Sequence, residues 1–101
     1  MIVISGKVRV QTDKIDSAME AAATMAQQSR AEDGCGAYDF GIDIEDRSVV
    51  RIFEEWESAE ALEAHFATPH FAAFGSVVAQ VLEGEADFTR YEVLSAAPLF
   101  G

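Results

Sequence analysis

Cysteine and basic residues are scarce in this chain of 101 residues. The single cysteine, Cys35, excludes an internal disulfide and a cysteine-rich metal site. Seven lysine and arginine residues stand against 18 acidic residues, which gives a formal net charge of −11. Because nucleic acids and anionic membranes bind to clustered positive charge, this balance predicts neither as a partner.

Long hydrophobic runs are also missing. No stretch approaches the roughly 18 apolar residues of a membrane-spanning helix. The first ten residues, MIVISGKVRV, lack the basic segment and long apolar run of a signal peptide, so we expect a cytoplasmic protein. Half of the residues are hydrophobic and a quarter are charged. This composition and length predict one domain over residues 1–101, with a core at about 2–94 and a tail at 95–101.

The first half of the chain predicts a strand, a helix and a second strand. Residues 2–10 alternate in polarity, as a strand does. Thr12 or Asp13 is a candidate cap for a helix that ends before Gly34. The apolar residues at helical spacing are Ile15, Ala18, Met19, Ala22, Met25 and Ala26. The residues that share a face of the second strand are Tyr38, Phe40, Ile42 and Ile44.

The second half predicts a strand, two helical pieces and a last strand. The third strand runs from Val49 to Glu57 after a turn at residues 45–48, and the residues that share one of its faces are Val50, Ile52, Glu54 and Trp56. Ser58 caps a short helix with Leu62 and Phe66 on its inner face.

A longer helix begins at Thr68-Pro69, where a proline costs no hydrogen bond, and ends at Gly84. Its apolar stripe contains Phe71, Phe74, Val78 and Val81. Residues 86–94 alternate again and form the fourth strand.

The resulting order, β-α-β-β-α-β, predicts an α+β, ferredoxin-like fold with an antiparallel four-stranded sheet. Helices on one face leave the other face of the sheet uncovered. A second copy of the chain is the simplest cover for its apolar residues, so we expect a homodimer.

Three short motifs resemble the antibiotic biosynthesis monooxygenase (ABM) domains, which are dimeric α+β barrels. These motifs are Glu54-x-Trp56, Ser58-x-Glu60-x-Leu62-x-x-His65 and Thr68-Pro69-His70-Phe71. The resemblance implies a pocket between the sheet and the helices of each protomer. It also implies oxidation of a small aromatic phenol or quinol by molecular oxygen, without a metal, flavin or other prosthetic group.

The resemblance assigns the catalytic positions to Trp56, His65 and Glu54. The residues themselves suggest roles: a carboxyl buried under an indole has a raised pKa and is a candidate base, and His65 offers an imidazole for proton transfer. The expected substrate-binding residues are the apolar walls Phe66, Phe71, Phe74 and Met25, together with Tyr38 and Arg51. Arg51, Arg90 or a tyrosine is the candidate to face an anion.

Each of these residues also has a purely structural explanation. Trp56 is a candidate core aromatic, His65 a partner of a helix C-terminus, and Glu54 a buried carboxylate paired with an arginine of a second copy or a backbone N–H. His70 is expected to be exposed. Two histidines and one cysteine, far apart in sequence, predict no metal site.

Three functional hypotheses follow: a cofactor-independent monooxygenase, a non-catalytic dimeric protein that binds a small ligand, and a haem-degrading relative. Haem-degrading relatives place an asparagine on the first strand, where Ser5 or Lys7 stands here. An enzyme requires an open pocket near Trp56 and His65, whereas in a structural module the phenylalanines fill that space.

Overall fold

The sheet of this protein has the predicted antiparallel form, with its strands in the spatial order β2-β3-β1-β4. The computed structural model describes all 101 residues. Its elements are β1 (Ile2–Arg9), α1 (Ile15–Arg30), β2 (Cys35–Ile42), β3 (Val49–Trp56), α2 (Ala59–Phe66), α3 (Pro69–Val81) and β4 (Asp87–Glu92). This is the predicted α+β, ferredoxin-like arrangement, with the second helix divided in two.

The alternation of β3 decides which side chains meet the helices. Its even-numbered residues are buried on the helical face: Val50, Ile52, Glu54 and Trp56. Its odd-numbered residues Arg51 and Phe53 are exposed on the other face. Since successive strand side chains point to opposite faces, one register places both Glu54 and Trp56 inside.

The boundaries differ from the expectation at three places. A 3₁₀ turn occupies Thr12–Lys14, and α1 begins only at Ile15 without a side-chain cap. Ile44 was expected to share a face of β2 with Tyr38 and Phe40, but it lies beyond the strand end and is 98% exposed. The fourth strand is shorter than predicted and exposed throughout, because no helix covers this edge of the sheet.

The joint between α2 and α3 follows the predicted capping residues. Ser58 Oγ accepts a hydrogen bond from the backbone N–H of Ala61, and Thr68 Oγ1 accepts one from Phe71. In α2 the buried residues are Leu62 and His65, while Phe66, expected on the inner face, is 49% exposed. The chain therefore turns sharply at Thr68 and brings the first turn of α3 beside His65.

The buried apolar residues form two clusters rather than one continuous core. The first cluster contains Ile2, Met25, Ala26, Tyr38, Ile52, Trp56 and Leu62. The second contains Val10, Ala18, Val50 and Val81. Members of both clusters line a cavity between the sheet and the helices. No helix has the length and apolar character needed to cross a bilayer.

Candidate functional site

The cavity has a volume of about 430 Å³ and lies between the sheet, α1 and α3. Of its 23 lining residues, 19 are hydrophobic, so it suits a small apolar ligand. All four predicted wall residues line it: Met25, Phe66, Phe71 and Phe74. Because these side chains surround the space instead of filling it, the site is a cavity and not a packed core.

Few polar groups reach this cavity. Glu54 and Tyr38 line it from the central strands, where both residues are buried. Thr89 and Arg90 line it from β4, where both are exposed. The inner part of the cavity therefore combines one carboxyl with aromatic walls, and its only basic residue lies at the exposed edge strand.

Glu54 is held by the indole of Trp56, two positions along the same strand. Trp56 Nε1–H donates a hydrogen bond of 2.9 Å to Oε1 of Glu54. Burial raises the pKa of the Glu54 carboxyl, the bond from Trp56 lowers it, and the negative charge of Glu32 raises it further, with a net increase. A raised pKa makes the Glu54 carboxylate a stronger base than an exposed glutamate.

Tyr38 lies beside Glu54 on the neighbouring strand, since the two residues are directly paired between β2 and β3. Burial and the Glu54 charge raise the pKa of the Tyr38 hydroxyl, so the phenol stays protonated. Its Oη lies 3.4 Å from Nε2 of His65, a long hydrogen bond.

His65 is enclosed by aromatic rings at the end of α2. Its ring centroid lies 4.6 Å from that of Trp56, 5.3 Å from Tyr38 and 5.2 Å from Phe71. The residue is only 1% exposed, and a polar ring buried to this degree requires partners for both nitrogens. Tyr38 approaches Nε2, and Nδ1 lies 2.7 Å from Oε2 of Glu32.

Glu32 reaches His65 from the turn between α1 and β2. Its backbone N–H donates to the carbonyl of Ser29, and its carbonyl accepts from Cys35. Gly34, with φ of +84°, lets the turn fit closely against α2, where a Cβ would approach Ala61 Cβ to 2.7 Å. The turn thereby fixes the Glu32 carboxylate beside the end of α2.

The Glu32 oxygen that meets His65 also meets His70. Oε2 lies 2.8 Å from Nε2 of His70, whose side chain is 18% exposed. The expectation that His70 is exposed was therefore wrong, because the sharp turn at Thr68 directs the start of α3 towards Glu32.

The hydrogen-bond network assigns the protons of this cluster. An ionised carboxylate only accepts hydrogen bonds, so Nδ1 of His65 and Nε2 of His70 both carry a hydrogen. With a hydrogen on Nδ1 only, the His65 ring has a lone pair on Nε2, which accepts a hydrogen bond from the Tyr38 hydroxyl. The resulting chain runs from the cavity wall through Tyr38 and His65 to Glu32 near the surface.

Two of the predicted catalytic residues, Trp56 and His65, lie behind the cavity wall and do not line it. Each contacts a residue that does, since Trp56 binds Glu54 and His65 approaches Tyr38.

The prediction that Arg51 binds the substrate is wrong. Arg51 lies on the opposite face of the sheet, and its Nε donates to Asp43 Oδ1 at 2.8 Å, so it cannot face a ligand in this cavity.

Sequence reasoning missed Glu32 altogether. The residue is separated by 33 positions from His65 and by 38 from His70. Its neighbours, Asp33 and Gly34, read as an ordinary turn after a helix. No local pattern marks Glu32, and only the packing of that turn on α2 reveals its partners.

This protein is an α+β protein with a cavity between its sheet and its helices. Its third strand carries a buried Glu-Trp pair at that cavity. The family model for antibiotic biosynthesis monooxygenase (ABM) matches residues 1–77. The chain therefore belongs to the ABM family, as the three motifs predict.

Individual proteins and solved structures are also similar to this chain. A Bacillus subtilis protein named "Putative monooxygenase YcnE" is 28% identical over 92% of this chain and 98% of its own. A Bacteroides thetaiotaomicron structure described as a "Possible Oxidoreductase" is 34% identical, with a TM-score of 0.85 over 91% of this chain and 96% of that one. A Deinococcus radiodurans structure described as a "putative antibiotic biosynthesis monooxygenase" covers both chains fully, with a TM-score of 0.91 at 22% identity.

Replacement of Trp56 tests whether the indole is part of the core. The ring is fully buried, so Trp56→Ala should lower the free energy of unfolding by about 3–5 kcal/mol. Trp56→Phe keeps most of the volume but removes the donor to Glu54, and should cost about 1–3 kcal/mol. Urea unfolding followed by far-UV circular dichroism measures both. Equal losses, or a loss below about 1 kcal/mol for alanine, would contradict this packing.

Glu54→Gln tests the raised pKa of Glu54 through stability. At low pH the carboxyl is protonated in the folded and unfolded chain alike. As pH rises, the unfolded chain ionises first, so the folded protein loses stability until pH exceeds the raised folded pKa. The glutamine variant keeps an acceptor for Trp56 and escapes this loss.

The melting temperature of Glu54→Gln relative to the wild type should therefore increase from acid to neutral pH. Glu63→Gln, at an exposed position of α2, is the matched control and should show no such trend. A constant difference between Glu54→Gln and wild type across this range is the outcome that rejects a raised pKa.

Proposed function

We propose that this protein is a cofactor-independent monooxygenase that oxidises a small aromatic phenol or quinol with molecular oxygen. The observation that carries the proposal is the placement of one buried carboxyl, Glu54, in the wall of an otherwise aromatic and aliphatic cavity. Family membership supports an oxygenase or a small-molecule-binding protein of this fold. The substrate class is our inference from the cavity.

The cavity favours a flat, apolar substrate with a hydroxyl group. Its volume of about 430 Å³ lies within the usual range of ligand pockets, about 300–1,000 Å³. Phe66, Phe71 and Phe74 offer aromatic faces to such a ring. Glu54 Oε1 is bound to Trp56, while Oε2 makes no hydrogen bond within the chain and is available to a substrate hydroxyl.

Glu54 acts first as a base in this proposal. It accepts the hydroxyl proton of the substrate and leaves a phenolate, which is electron-rich enough to react with oxygen. The walls of the cavity are mostly apolar and Glu54 is buried in them, which raises the pKa of its carboxyl and so favours the proton transfer. The electrons for the reaction come from the substrate itself.

Oxygen then adds to the substrate in two steps. The phenolate first gives one electron to oxygen, which yields a phenoxyl radical and superoxide. These two radicals combine into a C–O bond at a ring carbon, and the resulting peroxide anion takes the proton back from Glu54. The hydroperoxide next loses water as the ring C–H bond and the O–O bond break. One oxygen atom becomes a carbonyl of the quinone product, and the other leaves as water.

The other predicted catalytic residues have positioning roles in this proposal, because neither lines the cavity. Trp56 orients the Glu54 carboxylate and limits how far its pKa rises. His65 accepts the hydrogen bond of Tyr38 and is itself oriented by Glu32, which fixes the Tyr38 ring in the cavity wall.

An oxygen electrode with a panel of hydroquinones and anthrones tests the proposal. The wild type should consume oxygen with at least one panel member beyond the uncatalysed rate, and ¹⁸O₂ should place one labelled atom in the product. Glu54→Gln should lower kcat by about 10²–10⁴-fold, whereas the exposed Glu63→Gln should retain activity. Trp56→Phe removes a bond that lowers the Glu54 pKa, so the acid limb of its pH–rate profile should move to higher pH.

Two results would contradict the oxygenase. No oxygen uptake with any substrate, combined with tight binding of a panel member, would identify a non-catalytic ligand-binding protein. Undiminished oxygen uptake by Glu54→Gln would show that Glu54 is not the base.

The haem hypothesis is disfavoured by geometry, since neither histidine lines the cavity and both bind Glu32.

We also propose that two copies pack through the outer faces of their sheets. That face carries Val3, Val49, Phe53 and Tyr91, of which Phe53 is 41% and Tyr91 51% exposed. No element of the chain covers it. A symmetric partner would bury these side chains by self-complementary packing.

Sedimentation at micromolar concentration tests the dimer. The wild type should sediment as a dimer, and Phe53→Lys should sediment as a folded monomer, because a lysine at the centre of the interface buries a charge. Ala64→Lys adds the same charge at an exposed helical position and should remain dimeric. A monomeric wild type, or a dimeric Phe53→Lys, is incompatible with packing through this face.

A further inference from the structure

We propose that Glu32, His65 and His70 form a binding site for a zinc-class divalent cation, outside the substrate cavity. One carboxylate and two imidazoles are a common ligand set for zinc, with the fourth position open to water. The three side chains come from the α1–β2 turn, the end of α2 and the start of α3. No other group of histidine, cysteine and acidic residues in the chain converges in this way.

The ligand atoms already face one another. Oε2 of Glu32, Nδ1 of His65 and Nε2 of His70 all lie within 4.8 Å of each other. Tetrahedral zinc with bonds of about 2.0–2.1 Å separates its ligands by about 3.3 Å. The present separations from Oε2 are 2.7 and 2.8 Å, so a modest retreat of the Glu32 carboxylate makes room for the ion.

The second nitrogen of His65 supports the site. When Nδ1 binds a cation, the ring hydrogen moves to Nε2, which then donates to Oη of Tyr38, 3.4 Å away. Metal-bound histidines usually make such an outer hydrogen bond, which fixes the ring and increases its affinity for the ion. The two histidines thus exchange hydrogen bonds to Glu32 for bonds to the cation.

Access and charge also favour an ion at this position. The side chains of Glu32 and His70 are 13% and 18% exposed, which gives an entry path, while His65 anchors the inner side. The ionised carboxylates of Glu32 and Glu54 act on each other electrostatically, so a cation at Glu32 relieves a repulsion. The ion would lie on the far side of His65 from the cavity, and zinc has no redox chemistry, so it takes no part in the oxygen reaction proposed above.

Calorimetric titration of the tag-free, metal-free chain with ZnCl₂ tests the proposal. We expect one strong site per protomer. Glu32→Gln and His70→Gln each remove one ligand at a partly exposed position and should raise the Kd at least about tenfold, with far-UV circular dichroism confirming the fold. Glu63→Gln, an exposed acidic residue of α2, should bind as the wild type does.

X-ray absorption at the zinc edge provides a second, independent readout. The chain contains only two histidines, so two imidazoles per bound zinc can come only from His65 and His70. A wild type without a strong site, equal binding by Glu32→Gln, His70→Gln and wild type, or fewer than two imidazoles per zinc would each overturn the proposal. These outcomes do not depend on oxygenase activity, so the proposed function is tested separately.

Discussion

The burial of two polar side chains beside an apolar cavity is the constraint on which this site depends. A carboxyl and an imidazole removed from water destabilise the fold unless their polar atoms find partners. Glu54 finds the indole N–H of Trp56, and His65 finds the Glu32 carboxylate. Both partners are fixed by backbone geometry, one by strand alternation and the other by a tight turn. The site is therefore held by the same contacts that complete the core.

The cavity follows from the same arrangement. Because α2 is short and the chain turns at Thr68, α3 lies over the sheet. Large phenylalanines lie where α2 and α3 meet, and the buried apolar residues form two clusters around an open space. One end of this space carries Glu54. Behind the wall, Tyr38 and His65 connect the cavity to Glu32. With the hydrogen of His65 on Nδ1, Tyr38, His65 and Glu32 form a chain of hydrogen bonds. With the hydrogen on Nε2, Nδ1 is free to bind a cation, so the two states exclude each other.

Much of the fold could be predicted because its signals are local. Alternation placed Glu54 and Trp56 on one face of the third strand, and Ser58 and Thr68 were identified as caps from their residue type and the following helices. The same alternation places Arg51 and Glu54 on different faces of the third strand. The prediction of Arg51 as a substrate-binding residue was wrong because it followed from the positive charge of arginine and ignored this alternation. Glu32 could not be found, since its partners are more than 30 positions away and depend on how a turn packs against a helix. The sequence also could not predict that Trp56 and His65 lie behind the cavity wall. Residue spacing does not distinguish a side chain that lines a cavity from one that packs behind it.

The most direct test of this account is the hydrogen position on His65 in the metal-free protein at neutral pH, measured by long-range ¹H–¹⁵N correlation of the ring nitrogens. The account predicts a hydrogen on Nδ1, where it binds the Glu32 carboxylate. A hydrogen on Nε2 with a bare Nδ1 would contradict it, because the Glu32 carboxylate would then have no donor in His65.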